Sequence, residues 1–382
     1  MGPVLRISGR GALCLAVNGL ASGQADVVRC IIKASESSTG GAGLGPAPSF
    51  SSSGGPRDLQ VSGSPDLLRR IARAMAAVSG LPSDLAKKID SLLDNYLRSD
   101  YKMECRGKIL DLGARTHIMG ILNVTPDSFS DGGRYAALEQ AISRAREMAA
   151  AGADIIDIGG ESTRPGADPV PEDEELRRTV PLIERLAAEL AVPISIDTYK
   201  SSVARKALEA GASIVNDISG LRFSPDMANV AAGYGAAVII MHIKGTPRNM
   251  QQNPVYADVV DEVREYLEEG IELAVKAGVD RERTMIDPGI GFGKNLGHNL
   301  ALLNRLDEFR CIGRPVVLGT SRKKFIGTVL GIPVPDERGF GTAATVALGI
   351  ERGAAIVRVH DVASMAQAAR MTDAIVKSVQ SS

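Results

Sequence analysis

The fold of this 382-residue chain is set by stretches such as PISIDTYKSSVARKALEAGASIVND (193–217), in which two short apolar segments flank an amphipathic one. The segments PISID (193–197) and SIVND (213–217) are continuous apolar runs, which are typical of parallel strands buried on both faces. The residues between them, 199–210, show the spacing of an amphipathic helix. The stretch therefore predicts a strand–helix–strand unit.

The same pattern recurs on both sides of this unit. Six further strand candidates are HIMGILNV (117–124), ADIIDIG (153–159), AAVIIMH (236–242), TMIDP (284–288), PVVLGT (315–320) and AIVRVH (355–360). The clearest helical stretches besides 199–210 are 136–151, 172–190, 255–277, 298–309, 339–352 and 361–378. Eight such units predict an α/β fold, a (β/α)8 TIM barrel, whose usual size is about 250 residues. A doubly wound sheet is the alternative, although it would rarely need eight regular units.

The chain before the barrel has a different composition. Within residues 1–33, the stretch before Asp26 loosely resembles a targeting peptide, but we favour a short strand or helix of a small accessory domain. Residues 34–64 are rich in Ser, Gly and Pro, which predicts a flexible linker. Residues 65–105 carry two runs at helical spacing and predict a helical hairpin. We therefore expect a small, mainly helical N-terminal region and a linker, followed by a barrel over 106–382.

Charge and composition exclude several classes of partner. The chain has 44 Lys and Arg against 45 Asp and Glu, so no basic field exists to hold a nucleic acid. Aromatic residues make up 4% and Trp is missing, which disfavours a stacking surface for single strands. The sequence contains no run of about 18 apolar residues, so it predicts no membrane span. We expect small-molecule substrates, with no nucleic acid and no membrane as partners.

The cysteines bear on the cellular compartment. The four cysteines show no CxxC spacing and are scattered along the chain, which disfavours a disulfide framework or a structural zinc site. Four free thiols suit a reducing compartment, so we expect a cytoplasmic protein.

Polar residues end nearly every predicted strand. They are Asn123, Asp157, Asp197, Asn216, Asp217, His242, Asp287, Thr320, Ser321, Arg358 and His360. In a barrel these ends converge on the C-terminal face, where active sites lie. Any one of them could instead cap the following helix, but that explanation weakens over eight units.

The chemistry of these residues indicates a ligand. Asp197, Asn216 and Asp287 could bind a flat, nitrogen-rich ring such as a pterin or guanine, because carboxylates accept from adjacent N–H groups. Arg164, with the cations of 322–323 and 358–360, could clamp phosphate oxygens. A structural polar layer with buried ion pairs is the alternative.

Loops and histidines complete the pattern. The loops 123–133 and 159–167 are polar and punctuated by Gly and Pro, which is typical of loops that close over a substrate. Segment 287–294 predicts a tight turn that presents Asp287 and Phe292. The histidines lack HExxH spacing, which disfavours zinc. Asn123, with phosphate oxygens of a substrate, could hold Mg²⁺, an ion that keeps several waters.

Seven motifs together resemble those of the dihydropteroate synthase family, over roughly residues 106–378 and in that family's order. They are MGILNVTPDSFSDGG (119–133), DIIDIGGESTRPGA (154–167), SIDTYK (195–200), VNDISG (215–220), DPGIGFGK (287–294), LGTSRKKFIG (318–327) and VRVHD (357–361). The resemblance implies a homodimeric barrel that condenses 6-hydroxymethyl-7,8-dihydropterin pyrophosphate with 4-aminobenzoate in folate biosynthesis. It also implies Mg²⁺ as cofactor and a target for sulfonamides.

The resemblance also implies roles for individual residues. Asp197, Asn216, Asp287 and Lys323 would bind the pterin. The pyrophosphate would be bound by Asn123, Thr163, Arg358, Val359 and His360, with Asn123 also holding Mg²⁺. The aminobenzoate pocket would comprise Thr163, Pro165, Phe292 and Ser321. The residues implied to take part in catalysis are Asp127, Arg164, Asp287 and Lys323.

Two alternatives remain open at this point. A methyltetrahydrofolate–corrinoid methyltransferase resembles this family in its pterin-binding barrel, but it does not need the segments 162–166 and 321–323. A non-catalytic paralogue that binds pterin would have lost loop residues, whereas Asn123, Asp127, Arg164 and Lys323 are all present.

Overall fold

The protein is described by a computed structural model over residues 4–8, 13–18, 49–51, 59–76, 84–124, 133–164 and 166–378. These residues form two compact units. The first unit comprises the described residues up to Arg98 together with Asp307–Gly313. The second comprises Ser99–Leu306 and the described residues from Arg314 onward.

The first unit combines an antiparallel sheet with two helices. Its strands are β1 (Val4–Ser8), β2 (Leu13–Asn18), β3 (Ser49–Ser51) and β4 (Leu59–Gly63), in the order β1-β2-β4-β3. Its helices are α1 (Pro65–Ala76) and α2 (Leu85–Leu97). One apolar face of each helix packs on the sheet, and the core residues include Ile7, Leu15, Val61, Leu68, Ile71 and Ile89.

The structure corrects the expectation for this region. The two helices of the predicted hairpin are present, but a mainly helical region is an incomplete description, because four strands precede them. Residues 49–51 and 59–63 form strands inside the stretch 34–64 that we predicted to be a linker. Val61 explains the difference for β4, since it is buried in the core despite its polar neighbours. Residues 34–48 and 52–58 of this stretch lie outside the described residues.

The second unit is a closed barrel of eight parallel strands. They are β7 (His117–Asn123), β8 (Ile155–Gly159), β9 (Ile194–Asp197), β10 (Ile214–Asp217), β11 (Ala237–Met241), β12 (Thr284–Asp287), β13 (Val316–Leu318) and β14 (Ala354–Val359). Each pairs with the next, and β14 closes on β7. The strand side chains are almost all buried, as expected where one face packs inside the barrel and the other against helices. All eight predicted strands and the predicted TIM barrel are confirmed.

Helices alternate with these strands. They are α3 (Gly133–Ala150), α4 (Glu172–Glu189), α5 (Ser201–Glu209), α6 (Met227–Gly233), α7 (Val259–Lys276), α8 (Leu296–Asn304), α9 (Lys324–Leu330), α10 (Gly339–Glu351) and α11 (Val362–Ser378). The short helices α6 and α9 were not predicted. The helix predicted over 298–309 ends at Asn304 and continues as a 3-10 helix over Leu306–Ile312.

An antiparallel hairpin seals one end of the barrel. Strands β5 (Lys102–Cys105) and β6 (Lys108–Asp111) precede the first barrel strand. Met103 and Leu110 of the hairpin share a core with residues near the strand starts, such as Ile155 and Ile214. This end is therefore filled, and the second unit already begins before residue 106, the boundary that we expected. The carboxyl ends of the strands are left for chemistry.

Within the described ranges, none of the helices combines the length and the apolar character that a bilayer crossing requires.

Close packing of α10 on the barrel gives a stability prediction. A methyl group at Gly349 would lie 2.2 Å from Cδ2 of Leu318, a fully buried side chain of β13. Gly349→Ala should lower the free energy of unfolding by about 1–3 kcal/mol, the usual cost of overpacking. Equilibrium urea denaturation followed by circular dichroism measures the change.

Gly339→Ala is the matched control in the same helix, since no atom lies within 4 Å of the added methyl group. It should leave the free energy of unfolding unchanged or raise it by at most about 1 kcal/mol. Equal effects of the two substitutions would contradict the packing argument.

Candidate active site

Strand register brings one row of polar residues together at the carboxyl end of the barrel. Asn123 of β7 lies opposite Gly159 of β8, Gly159 lies opposite Asp197 of β9, and Asp197 lies opposite Asn216 of β10. A methyl group on Gly159 would lie 3.4 Å from Oδ1 of Asn123 and 3.8 Å from Oδ2 of Asp197. The glycine therefore leaves room for a ligand between these oxygens.

A half-buried guanidinium links Asp197 of this row to Asp157, which lies two residues before Gly159 on β8. Nε of Arg358 donates to Oδ2 of Asp157 at 2.6 Å, and Nη2 donates to Oδ2 of Asp197 at 2.6 Å. The amide of Asn216 donates to Oδ2 of Asp157 at 3.2 Å. Burial opposes the charge on Arg358, but Asp157 and Asp197 hold its pKa above the ordinary value. Its Nη1 makes no hydrogen bond within the described part of the chain, so it can bind a ligand.

Asp197 carries an oxygen that awaits a donor. Its Oδ1 is buried, and no donor among the described residues lies within hydrogen-bond distance. Burial raises the pKa of Asp197 to about 7, against the opposing charge of Arg358. A buried acceptor without a partner costs about 1–3 kcal/mol, which a ligand N–H group would recover.

Asp287 faces the same space from β12. Its Oδ1 accepts from the backbone N–H of Gly289 at 2.7 Å, which leaves Oδ2 for a ligand. Burial raises the pKa of Asp287, while the ammonium of Lys323 lowers it. Gly289 has φ +66°, and a Cβ there would lie 1.9 Å from the carbonyl oxygen of His242. Only glycine permits the turn that holds Asp287, as the sequence predicted for 287–294.

Lys323 lies beside the same space as Asp287. A methyl group on Gly319 would lie 3.9 Å from Oδ2 of Asp287, Nζ of Lys323 and Cβ of Arg358, so these groups surround one pocket. Nζ of Lys323 donates to the carbonyl of Ile290 and lies 4.9 Å from the ring centroid of Phe292. Burial lowers the pKa of Lys323 to about 8, against the opposing effect of Asp287.

A second group of side chains lies where β13 and β14 end. The hydroxyl of Ser321 lies 3.0 Å from Nδ1 of His360 and accepts from the His360 backbone N–H at 3.2 Å. Burial, followed by the charges of Arg358, Arg322 and Arg164, lowers the pKa of His360 to about 4. His360 is therefore neutral at pH 7, in a positive environment that suits an anion.

Asn123 is compatible with Mg²⁺. Its half-buried amide oxygen points into the gap beside the Asp197 carboxylate, and hard cations prefer oxygen ligands. The described residues contain no cluster of three His, Cys, Asp or Glu side chains arranged to hold a metal. A single amide oxygen fits an ion such as Mg²⁺ that binds few protein groups and keeps several waters.

Comparison with known proteins identifies the family. The sequence matches the pterin binding enzyme family over residues 119–360. It is 54% identical over 261 residues to dihydropteroate synthase of Bacillus subtilis, covering 68% of this chain and 89% of the relative. The chain belongs to the dihydropteroate synthase family.

Solved structures of the family agree with the barrel. The Yersinia pestis dihydropteroate synthase in a sulfonamide complex is 44% identical, with a TM-score of 0.68, over 72% of this chain and 99% of that one. The Xanthomonas albilineans dihydropteroate synthase with 4-aminobenzoic acid is 45% identical, with a TM-score of 0.68, over 72% and 98%. The family match begins at residue 119, so it leaves out the part of the first unit up to Arg98.

The site residues expected of a dihydropteroate synthase fall into three groups in the structure. Asp197, Asn216 and Arg358 lie in one hydrogen-bonded network. Asp287, Lys323 and Phe292 surround the second part of the pocket, and Ser321 contacts His360.

The remaining expected residues are placed less fully. Thr163 is half-buried and Arg164 is exposed. The Val359 side chain is fully buried in β14, so only its backbone could meet a phosphate. Asp127 and Pro165 lie outside the described residues. The assigned roles of all these residues stay predictions.

The structure adds functional groups that the site prediction missed. Asp157, which we noted only as a polar strand end, neutralises Arg358. Lys294 is buried and bonds to Nδ1 of His242 at 2.7 Å and to the carbonyls of Gly289 and Phe292, both at 2.9 Å. A charged residue in an otherwise apolar strand, or next to a glycine-rich turn, is the signal that could have found them, because buried charge requires partners.

The Arg358 network gives a second stability prediction. Arg358→Met would leave the buried carboxylates of Asp157 and Asp197 without their cation, and breaking such a pair costs about 3–5 kcal/mol. The midpoint of urea denaturation of the ligand-free protein should fall accordingly.

Arg146→Met is the control, because Arg146 pairs with Glu189 on the surface. Exposed pairs contribute little to stability, so its midpoint should hardly move. A similar small loss in Arg358→Met would show that the network contributes little.

Proposed function

We propose that the residues at the carboxyl end of this barrel carry out the reaction of the dihydropteroate synthase family. The chain joins 6-hydroxymethyl-7,8-dihydropterin pyrophosphate to 4-aminobenzoate, and releases 7,8-dihydropteroate and pyrophosphate. The observation that carries this proposal is the buried Oδ1 of Asp197, an acceptor that awaits a donor beside Asn216 in a pterin-binding barrel.

The pterin binds through acceptors on two sides. Asp197 and Asp287 present free carboxylate oxygens to its ring N–H groups, and Asn216 can supply one donor and one acceptor. Lys323 donates to a ring carbonyl or nitrogen from across the pocket. A flat 2-amino-4-oxo ring satisfies this set, because it carries adjacent donors on one edge and acceptors on another.

The first chemical event is departure of pyrophosphate. Nη1 of Arg358 and the neutral imidazole of His360 are available to its oxygens. Bound Mg²⁺, held by Asn123, would neutralise charge that develops on the leaving group. The C–O bond breaks and its electron pair leaves with the pyrophosphate, which places positive charge on the pterin methylene.

The charge balance of the pocket favours this cation. The carboxyl groups of Asp157, Asp197 and Asp287 lie around Arg358 and Lys323, and each one that is ionised supports positive charge on the pterin. In a buried site such preorganised charge stabilises a cation without solvent reorganisation. The amine nitrogen of 4-aminobenzoate then bonds to the methylene carbon and loses one proton. Thr163, Pro165, Phe292 and Ser321 form its pocket in this proposal.

The alternatives make different use of the site. A corrinoid methyltransferase has no need of the 321–323 segment, yet here Ser321 contacts His360 and Lys323 faces Asp287. A non-catalytic paralogue would bind pterin without turnover. A requirement for 4-aminobenzoate distinguishes the synthase reaction from both alternatives.

Pyrophosphate release is the direct test. Purified full-length protein with Mg²⁺ and the pterin pyrophosphate should release pyrophosphate rapidly only when 4-aminobenzoate is added, with dihydropteroate as the product. Pyrophosphate release at the same rate with and without 4-aminobenzoate would refute the proposed reaction. Folded protein that binds the pterin pyrophosphate but releases no pyrophosphate would also refute it.

The pKa of Lys323 sets an expected pH dependence. Since burial lowers it to about 8, the ammonium form dominates below that pH and is lost above it. If the ammonium form is required, kcat/KM for the pterin pyrophosphate should fall about tenfold for each pH unit above about 8. Steady-state rates between pH 6 and 10 measure this.

Lys323→Arg supplies the control, because its guanidinium stays charged over this range. Its rates should be lower, but the loss at high pH should disappear. A wild-type profile that stays level up to pH 10 would remove the proposed role of the ammonium group.

Homodimerisation has a candidate surface on the second unit. Helices α9 and α10 expose Val329, Leu330 and Phe340, and the Phe340 side chain is 93% exposed. Leu330 lies next to the backbone of Gly341, so these side chains form one apolar patch. Exposed apolar patches mark contact surfaces. We assign this patch to a second copy of the chain.

Phe340→Glu should therefore convert a dimer into a monomer in analytical ultracentrifugation. Ile109→Glu is the control, because Ile109 is 70% exposed at the sealed end of the barrel. Wild-type protein that sediments as a monomer, or a dimer that tolerates Phe340→Glu, would exclude this surface.

The cytoplasm is the proposed location. Cys14 and Cys105 are free thiols, and Cys105 is buried. Free thiols persist in a reducing compartment.

A further inference from the structure

A second buried ion cluster lies at the base of the loop formed by residues 160–171. Nζ of Lys200 donates to Oε2 of Glu161 at 2.5 Å, to Oε2 of Glu175 at 2.6 Å and to the carbonyl of Val170 at 2.6 Å. An ammonium has three donors, and all three are used. The carboxylate side chains of Glu161 and Glu175 are only 6% and 1% exposed. We call these three charged residues the Lys200 cluster.

The acceptors of Lys200 lie at opposite ends of one loop. Glu161 follows β8 closely, whereas Val170 and Glu175 lie just before and within the first turn of α4. One ammonium, supplied by the connection after β9, therefore fastens both ends. The hydroxyl of Tyr199 also donates to Oε1 of Glu161 at 2.7 Å.

The tip of this loop is held by much weaker contacts. Arg164 is exposed, and the backbone N–H of Gly166 donates to the carbonyl of Pro247 at 3.2 Å. Asp168 pairs with Arg248, but these side chains are 86% and 70% exposed. Exposed pairs of this kind contribute little to stability. The tip can therefore rearrange while the base stays fixed.

We infer that Lys200 is a positioning residue, which holds the ends of loop 160–171 together so that Thr163 and Arg164 meet the second substrate from a fixed base. The inference rests on the proposed function, in which this loop contributes to the 4-aminobenzoate pocket. Lys200 itself touches neither substrate.

The cluster should affect the two substrates unequally. Asn216, Asp287 and Lys323 lie on or after other strands, and Asp197 is held by β9 and by Arg358. Within the described residues, no hydrogen bond joins Lys200 to these four side chains, and the link between the cluster and the pterin pocket is the charge of Glu175, which adds to the effect of burial in raising the pKa of Asp197. Small misplacements of groups around a reacting centre cost large factors in rate, so the second substrate should respond strongly.

The test is to compare Lys200→Met, Lys200→Arg and Lys206→Met in the full-length chain. Lys206→Met is the matched control, since Lys206 pairs only with the exposed Glu209 on α5. Calorimetry measures the Kd for the pterin pyrophosphate, and steady-state rates give kcat and KM for 4-aminobenzoate. Because Lys200→Met leaves two buried carboxylates unpaired, the double variant K200M/E175Q removes one of these charges and guards against misfolding.

We expect Lys200→Met and the double variant to raise KM for 4-aminobenzoate about tenfold, with pterin Kd within twofold of wild type. Lys200→Arg should recover most of the loss, and Lys206→Met should match wild type. Hydrogen exchange of the peptide over 160–171 should rise in Lys200→Met, which reports on the loop without any turnover.

Two results would overturn the inference. One is that both Lys200→Met and K200M/E175Q leave the KM for 4-aminobenzoate and the hydrogen exchange of 160–171 unchanged. The other is an equal loss of pterin and aminobenzoate binding in both, which would indicate a general structural role. Wild-type protein that forms no dihydropteroate would instead refute the proposed function, and the hydrogen-exchange comparison would still test the cluster.

Discussion

The position of one half-buried guanidinium governs the rest of the site. Arg358 lies between Asp157 and Asp197, which belong to the neighbouring strands β8 and β9 of the barrel wall. Charged groups inside a protein are tolerated only when partnered, because desolvation of an isolated charge is far more costly than any packing gain. The ion pair between Arg358 and Asp197 therefore fixes the orientation of the Asp197 carboxylate. It also fixes the direction of Oδ1 of Asp197, the oxygen that has no donor among the described residues.

The two ends of the barrel divide stability from chemistry. At one end, the hairpin of β5 and β6 fills the interior with apolar side chains such as Met103 and Leu110. At the other end, the strands finish in carboxylates, amides and cations that have incomplete hydrogen bonding. Parallel strands permit this division because all their carboxyl ends lie on one face. A well-packed end can support an end that is held in an unfavourable electrostatic state.

Periodicity was sufficient to predict the barrel, because each strand is a short apolar run and each helix is amphipathic. It also placed Asp197, Asn216 and Asp287 at strand ends, where register then brought them together. The pairing of Asp157 with Arg358 could not be predicted, since it joins residues 201 positions apart and depends on barrel closure. The strand at 59–63 was missed for a related reason, because a polar, glycine-rich segment gains its order only from partners elsewhere in the sheet.

The free oxygen of Asp197 couples the supply of substrate to the lifetime of the protein. A ligand that binds only the folded state stabilises it in proportion to the logarithm of its concentration. A pocket with an unsatisfied buried acceptor gains more from this effect than a pocket that is already satisfied. Starvation for the pterin would then leave a larger fraction of the chain transiently unfolded, where cellular proteases act. The abundance of the enzyme would thus follow the abundance of its first substrate without any dedicated regulator.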